Sequence, residues 1–256
     1  MRAAVLGSPI AHSLSPVLHR AAYDALGLNW SYEAIEVTAE QLPAFLDGLD
    51  SSWGGLSLTM PLKQAVLPLL SAASELVHQV AAANTVLLPA RRGENTDVVG
   101  IVAALAEVGV RRVSKAVVLG GGATARSALA ALAVLGCRTP TLVVRSPSPE
   151  TLAAAARLGV TPTVTGWEPG VLVGCDLLVS TVPAGAADRF APYVEHVPVL
   201  LDVVYDPWPT PLASACRGIV VGGAAMLLHQ AAAQVALMTG LEVPIEPMRA
   251  ALKHSG

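Results

Sequence analysis

The first hundred residues carry polar side chains at the predicted ends of helices and strands: Ser13, Ser15, Thr59, Lys63, Asn84 and Asp97. Any one of these is more often an ordinary capping or turn residue than part of a site. As a set they place hydroxyl, ammonium, amide and carboxylate groups at element ends, where the ligand sites of α/β proteins form. The pattern therefore favours a site for a small polar molecule, in which Ser13 and Ser15 at a helix start could hold a carboxylate.

A second candidate site is the glycine-rich turn GGGATA at 120–125, which follows an apolar segment and precedes an alanine-rich one. Gly120 and Gly122 match the first two glycines of the dinucleotide-binding fingerprint, and Ala125 takes the third position. Such glycines let the backbone turn tightly and approach a pyrophosphate, which the N–H groups of the following helix bind. The flanking strand and helix favour nucleotide binding over the alternative, an ordinary glycine-rich turn.

The end of the next predicted strand indicates which dinucleotide is bound. NAD enzymes usually carry an acidic residue there for the ribose 2′-hydroxyl, whereas this chain has Val144, Arg145 and Ser146. A guanidinium matches the geometry of a phosphate, so Arg145 favours NADP. The alternative is that Arg145 is an ordinary surface arginine.

Short apolar runs alternate with helical stretches along the chain, which predicts an α/β fold with mostly parallel sheets. The predicted strands cover 3–6, 32–37, 55–58, 85–88, 116–119, 141–144, 177–181 and 199–204. The predicted helices cover 14–26, 39–49, 65–70, 74–80, 97–107, a stretch ending at 135, and 224–238. Ser13 or Ser15 is expected to cap the first helix, and a short tail is expected behind Pro244 and Pro247.

Composition excludes several classes of protein. Of 256 residues, 53% are hydrophobic and 14% charged, which excludes intrinsic disorder. The net charge of −3 argues against a nucleic-acid partner, and three scattered cysteines indicate neither a disulfide framework nor a metal site. Residues 219–241 lack charge, yet Gln230 and Gln234 within them favour a buried helix over a membrane span. We therefore expect a cytoplasmic protein with no membrane partner and no metal.

Seven short segments stand in order along the chain: GSPIAHSLSPVLHR at 7–20, LSLTMPLK at 56–63, AANT at 82–85, GENTDVVG at 93–100, VLGGGATAR at 118–126, LDVVYDPWPTPL at 201–212 and MLLHQA at 226–231. In this order and spacing they resemble the motifs of the shikimate dehydrogenase family over nearly the whole chain. The resemblance implies reversible, NADPH-dependent reduction of 3-dehydroshikimate to shikimate in aromatic amino-acid (chorismate) biosynthesis.

The resemblance also implies roles for individual residues. Lys63 and Asp97 would be the catalytic pair, since hydride delivery to a carbonyl requires a proton at its oxygen; which of the two moves the proton stays open. The implied substrate contacts are Ser13, Ser15, Thr59, Lys63, Asn84, Asp97, Tyr205 and Gln230. The implied NADP contacts are Gly120, Gly121, Gly122, Ala123, Thr124, Ala125, Arg145, Ser146, Thr181, Val203, Gly223 and Met226.

The family's domain organisation is expected as well. Residues 1–98 with 223–256 would form an N-terminal α/β substrate domain to which the C-terminal helices return. Residues 99–222 would form a Rossmann-type NADP-binding domain. The partner is expected to be the small-molecule substrate alone, with monomer and homodimer both open.

The chain departs from the family pattern at two places that matter for specificity. Ser57 replaces a usual Asn, and Pro147, Ser148 and Pro149 stand where a second basic residue often follows the cofactor arginine. NADP preference would then depend mainly on Arg145. The alternatives are a quinate/shikimate or aminoshikimate dehydrogenase, or a non-catalytic nucleotide-sensing relative, which would have no need of Lys63 and Asp97.

Overall fold

The computed structural model describes residues 1–146 and 148–253. In this part of the chain the strands are β1 Arg2–Gly7, β2 Ser31–Glu36, β3 Trp53–Leu58, β4 Ala72–Ala73, β5 Thr85–Leu87, β6 Arg92–Glu94, β7 Ala116–Leu119, β8 Thr141–Val143, β9 Thr163–Thr165, β10 Leu177–Ser180, β11 Val199–Asp202 and β12 Ile219–Gly222. The helices are α1 Ser15–Ala25, α2 Leu42–Asp47, α3 Leu62–Ala65, α4 Glu75–Val80, α5 Asp97–Glu107, α6 Ala123–Val134, α7 Pro149–Arg157, α8 Pro211–Ala215, α9 Gly223–Thr239 and α10 Ile245–Lys253. Short 3₁₀ turns occupy Leu67–Leu69, Pro169–Leu172 and Asp188–Tyr193.

The contacts divide the chain into two compact units. The first contains Met1–Thr96 and the chain from Leu227 onward, and the second contains Asp97–Met226. The helices and the two sheets confirm the predicted α/β fold class. The functional roles and the boundaries expected for the two domains stay predictions. Among the described residues, no helix is both long and apolar enough to cross a membrane.

The sheet of the first unit has the order β2-β1-β3-β5-β6-β4. Strands β2, β1 and β3 pair in parallel, but β5 is antiparallel to both β3 and β6. The sequence prediction of a mostly parallel sheet missed this reversal, because β6, the antiparallel partner that directly follows β5, has only three residues and was not predicted as a strand. The reversal places the start of β5 beside the carboxyl end of β3, which matters for the site.

The sheet of the second unit is parallel throughout, in the order β12-β11-β10-β7-β8-β9. Its central strands β7, β10 and β11 are buried along their whole length. Continuous apolar strands of this kind are typical of parallel sheets covered on both faces. This explains why the sequence prediction placed β7 correctly.

The predicted tail at the end of the chain is wrong, because the residues after Pro244 form helix α10. Its Pro247 lies in the first helical turn, where the missing N–H removes no intrahelical bond. Met248 is fully buried in a core that also contains Leu18 and Ala22 of α1 and Leu228 of α9. Burial of one amphipathic face against α1 therefore stabilises a segment whose prolines indicated a loop.

The predicted side-chain cap of α1 is also wrong. The residue at the cap position is Leu14, and neither Ser13 nor Ser15 caps the helix; instead the Ser15 N–H donates to Ser13 Oγ at 3.3 Å. Pro16 in the first turn supplies a preset φ angle. Ser13 therefore satisfies the first N–H of the helix from outside the cap position, and the ligand-binding role of both serines stays a prediction.

One buried histidine in α1 gives the first unit a pH-dependent stability. His19 Nδ1 lies 2.9 Å from the carbonyl oxygen of Ser15, which can only accept, so Nδ1 carries the proton. Its Nε2 has no hydrogen-bond partner among the described residues, and its ring stacks on Tyr32 at 3.8 Å. Burial lowers the pKa of His19 from 6.5 to about 4, since an imidazolium there would lose its hydration.

We expect this histidine to make folding less favourable in mild acid. Between pH 6.5 and 4 the unfolded chain binds a proton at His19 that the folded chain excludes, so stability falls as the pH falls through this window. From pH 7 to pH 5 the contribution is about 2 kcal/mol. Urea unfolding at the two pH values should show a smaller pH effect in His19→Gln than in the wild type. His78→Gln, at an exposed histidine, should retain the full effect, and equal pH effects in the wild type and His19→Gln would contradict this origin.

Candidate active site

In the first unit, the carboxyl ends of β1 and β3 lie side by side. The Thr59 N–H donates to the carbonyl oxygen of Leu6 at 2.9 Å, and a Cβ added at Gly7 would overlap Thr59 Cγ2. The carbonyl oxygen of Thr59 in turn accepts from the Leu62 N–H at 2.7 Å, which starts the one-turn helix α3. Lys63 follows in that turn and is half-buried. This end of the sheet is where α/β ligand sites form.

Asn84 is the centre of a buried hydrogen-bond cluster beside this segment. Its position is set by the main chain, since the Ala83 N–H donates to the carbonyl oxygen of Lys63 at 2.9 Å. The side-chain Nδ2 of Asn84 donates to Thr96 Oγ1 at 2.9 Å and to Gln230 Oε1 at 3.2 Å. Three of the predicted substrate residues, Lys63, Asn84 and Gln230, are thus brought into one neighbourhood although they are distant in sequence.

The same cluster contains residues that the sequence prediction did not assign to the site. Thr96 donates its N–H to Asn84 Oδ1 at 2.8 Å, and Thr85 donates its hydroxyl to the same oxygen at 2.9 Å. Gln234 and Ser57 join it through further bonds. One signal was present in the sequence: Gln230 and Gln234 lie four residues apart in a mostly apolar helix, and so share one face.

Ser13 and Ser15 stand at the amino end of α1, where the positive end of the helix dipole favours an anion. Ser15 is almost fully buried, and Ser13 is half-buried. This is compatible with their predicted contact to a substrate carboxylate.

Asp97 and Tyr205 belong to the second unit. Asp97 is the first residue of α5 and is 3% exposed, so its carboxylate is placed at a helix amino end, which favours a negative charge. Tyr205 is half-buried in the loop after β11. That loop is tied down by Asp202, which accepts from Thr210 Oγ1 at 2.7 Å and from the Val204 N–H at 3.3 Å. Burial of Asp202 raises the pKa of its carboxyl.

The glycine-rich turn joins β7 to α6 as predicted and has the properties of a dinucleotide site. Gly120 has a φ of +110°, and an added Cβ would lie 2.6 Å from Thr181 Oγ1, so glycine is required there. Gly122 caps α6 without a side chain, and a Cβ added to it would meet no described atom within 4 Å. The first N–H groups of a twelve-residue helix therefore lie behind open space, which fits a pyrophosphate.

The remaining predicted residues of the turn lie in the first part of α6. Ala123 and Thr124 are half-buried, and Ala125 is fully buried. The turn is held from behind by Thr151 of α7, whose hydroxyl donates to the carbonyl oxygen of Gly121 at 2.6 Å. The sequence prediction did not identify Thr151, because it included no helix over the segment that forms α7.

Arg145 and Ser146 follow the end of β8 and are both exposed. This position, after the second strand of the nucleotide-binding unit, is where the ribose of a dinucleotide is recognised. Ser148 caps α7 by accepting from the Thr151 N–H at 3.3 Å. Pro147, one of the residues at which the sequence departs from the family pattern, lies outside the described residues.

The other predicted cofactor residues cluster at the carboxyl ends of β10, β11 and β12. The hydroxyl of Thr181 donates to the carbonyl oxygen of Leu119 at 2.8 Å, and the Val203 N–H donates to that of Ser180 at 3.0 Å. Any Cβ at Gly223 would overlap the carbonyl oxygen of Val203, so glycine alone permits this approach. Met226 is 7% exposed in the following turns of α9.

Among the described residues, no three His, Cys, Asp or Glu side chains are grouped so that they could hold a metal ion.

Comparison with known proteins gives consistent matches to both ends of the chain. A family profile described as "Shikimate dehydrogenase substrate binding domain" matches residues 5–86, and one described as "Shikimate 5'-dehydrogenase C-terminal domain" matches residues 223–253. A curated relative from Synechocystis sp., named shikimate dehydrogenase (NADP(+)), is 37% identical over 98% of this chain and 94% of its own length.

Two solved structures are similar over nearly their whole length. The shikimate dehydrogenase of Mycobacterium tuberculosis is 42% identical, with a TM-score of 0.91 and coverage of 99% of both chains. The shikimate 5-dehydrogenase of Thermus thermophilus, solved in complex with NADP(H) and shikimate, is 34% identical, with a TM-score of 0.87 and full coverage of both chains.

Proposed function

The chain belongs to the shikimate dehydrogenase family, and from that premise we propose how its own residues hold the substrate and handle the proton. It is an NADP-dependent oxidoreductase that acts on a CH–OH group and interconverts 3-dehydroshikimate and shikimate. In the family this reaction serves aromatic biosynthesis. The observation that carries the site assignment is the bond between the Asn84 and Gln230 side chains, in a segment whose main chain is hydrogen-bonded to that of Lys63.

Substrate binding is proposed for the residues that the family resemblance implies. Ser13 and Ser15 hold the carboxylate, since hydroxyl donors at a helix amino end suit an anion. Thr59, Asn84 and Gln230 bind the ring hydroxyls, and Asp97 accepts from one of them. Tyr205 completes the set as a hydroxyl donor to the carboxylate.

Lys63 and Asp97 are proposed as the pair that handles the proton. An ammonium carries three donors, so Lys63 can hold the carbonyl oxygen of 3-dehydroshikimate and stabilise the negative charge that develops there. The proton that ends on this oxygen comes from the pair, in which Lys63 supplies the donor and Asp97 the carboxylate acceptor. In the reverse direction the pair removes the proton from the shikimate hydroxyl.

The NADP-binding assignment is proposed for the turn at 120–125 and for Arg145. When bound, NADPH supplies the hydride. The N–H groups at the start of α6 hold the pyrophosphate, and Arg145 with Ser146 binds the 2′-phosphate. Thr181, Val203, Gly223 and Met226 border the nicotinamide end.

A four-way assay tests the substrate and the cofactor together. Purified protein is mixed with shikimate or quinate, each with NADP⁺ or NAD⁺, and the absorbance of the reduced nicotinamide is followed. We expect fast turnover only with shikimate and NADP⁺. Comparable turnover with quinate would favour a quinate/shikimate dehydrogenase, and silence in all four mixtures with nucleotide still bound would favour a nucleotide-sensing relative.

We propose that the protein works in the cytoplasm. Cys137 and Cys175 are buried free thiols and Cys216 is a partly buried one, which suits a reducing cytoplasm. We propose a monomer or homodimer with no nucleic-acid partner, in keeping with the net charge of −3.

A further inference from the structure

Gln234 is a buried amide that the proposed reaction does not use. It lies on α9, one turn after Gln230, and is 1% exposed. Its Oε1 accepts from Ser57 Oγ at 2.8 Å, and its Nε2 donates to the carbonyl oxygen of Asn84 and to Thr85 Oγ1, both at 3.0 Å. The side chain thereby bonds to β3 and to the start of β5, which are separated from it by about 150 residues or more along the chain.

The direction of these bonds is fixed by the main chain. A carbonyl oxygen can only accept, so the atom of Gln234 that faces Asn84 O must be Nε2. Oε1 then faces Ser57, whose hydroxyl must donate to it. Ser57 Oγ accepts in turn from the hydroxyl of Tyr32 at 2.6 Å.

The orientation of the Asn84 side-chain amide is fixed by its hydrogen-bond partners in the same way. Because Gln234 Nε2 donates to Thr85 Oγ1, the hydroxyl proton of Thr85 points away from Gln234, to Asn84 Oδ1 at 2.9 Å. The Thr96 N–H donates to that oxygen as well. The Oδ1 atom of Asn84 therefore faces the Thr85 hydroxyl and the Thr96 N–H. The two N–H groups of the same amide face Thr96 Oγ1 and Gln230 Oε1.

We propose that Gln234 is a positioning residue for substrate binding: through Thr85 it holds the Asn84 amide in the orientation that pairs with Gln230, so that a substrate hydroxyl exchanging into this pair finds it in one arrangement. The proposal rests on the proposed function, since it requires Asn84 and Gln230 to hold shikimate. Gln234 itself need not touch the substrate. Its effect reaches the site through Thr85.

Gln234→Met is the direct test, because Met has nearly the same shape and cannot form these bonds. We expect the KM for shikimate to rise about tenfold, since at least one buried hydrogen bond that orders Asn84 is lost. The Kd for NADP⁺, measured by fluorescence titration, should stay within about twofold of the wild type. Thr239→Val is the matched control, since the hydroxyl it removes bonds only near the end of α9, to the carbonyl oxygen of Val235 and the Leu241 N–H. It should leave both constants unchanged.

A double-mutant cycle with Asn84→Ala separates positioning from a general loss of stability. In the Asn84→Ala background, Gln234→Met should change the shikimate KM by less than about twofold, because the group it positions is gone. If Gln234→Met does not fold, Thr85→Val serves in the same cycle, since it removes the hydroxyl that links Gln234 to Asn84.

Different results would contradict the positioning role of Gln234 and the substrate contact of Asn84. A wild-type shikimate KM in the folded variant, or the same factor in both backgrounds, would overturn the positioning role while leaving the proposed function intact. A wild-type shikimate KM in Asn84→Ala alone would instead overturn the assignment of Asn84 as a substrate contact, and the positioning role with it.

Discussion

Lys63→Ala is expected to lower kcat for shikimate oxidation by about 10²- to 10⁴-fold, the usual contribution of a positioned acid or base. The ammonium is the only group of Lys63 that the proposed reaction uses, and its removal leaves the substrate oxygen without a cationic donor. The helical turn that carries it should persist, because the fold at this point depends on main-chain bonds of Lys63 and its neighbours, such as that from the Ala83 N–H to the Lys63 carbonyl oxygen. Steady-state kinetics with saturating NADP⁺ measures the effect.

The control for this prediction is the neighbouring exposed residue. Gln64→Ala changes the same short helix and should leave kcat within about twofold of the wild type. Circular dichroism and NADP⁺ titration of Lys63→Ala should match those of the wild type, which separates a catalytic loss from unfolding. Near-wild-type turnover in Lys63→Ala would remove the residue from the catalytic pair and favour the nucleotide-sensing alternative.

Arg145→Ala is expected to weaken NADPH binding by about 10- to 100-fold and to leave NADH binding unchanged. A charge-assisted hydrogen bond to a phosphate accounts for this magnitude, and NADH lacks the 2′-phosphate. The effect should be large because Pro149 stands where a second basic residue often occurs in the family. Fluorescence titration of the purified variant with each reduced nucleotide provides both dissociation constants.

Arg111→Ala is the matched control for charge, since Arg111 is an exposed arginine in the same unit. It should change neither constant by more than about twofold at physiological ionic strength. Equal weakening of NADPH and NADH by Arg145→Ala would show that the arginine supports the loop rather than the phosphate. Raising the salt concentration should reduce the preference of the wild type for NADPH, because ionic screening weakens the exposed contact.

Local sequence rules succeeded where an element's environment is uniform. The apolar runs of β7 and β10 predicted buried parallel strands, since both faces of such a strand need hydrophobic side chains. The glycine-rich turn at 120–125 could be placed because its backbone geometry restricts the residue type, as the φ of +110° at Gly120 shows. Helix α5 was predicted with its observed bounds, Asp97–Glu107.

Local rules failed where tertiary contacts override them. Helix α10 begins between two prolines and is stabilised by burial of Met248, which no local pattern reveals. The two-residue strand β4 exists only because β6 pairs with it. Ser13 and Ser15 look like capping residues, yet Leu14 occupies the cap position.

By itself, the sequence determined the family, the two kinds of site and the residue types that serve them, because motif residues keep their order and spacing along the chain. The tertiary structure alone decided which of these residues meet. Asn84 and Gln230 are 146 positions apart and bond at 3.2 Å, and the direction of every bond around Gln234 follows from main-chain groups that the antiparallel placement of β5 provides. Hydrogen-bond direction depends on which donor faces which acceptor, and that is fixed only when the strands and α9 have packed.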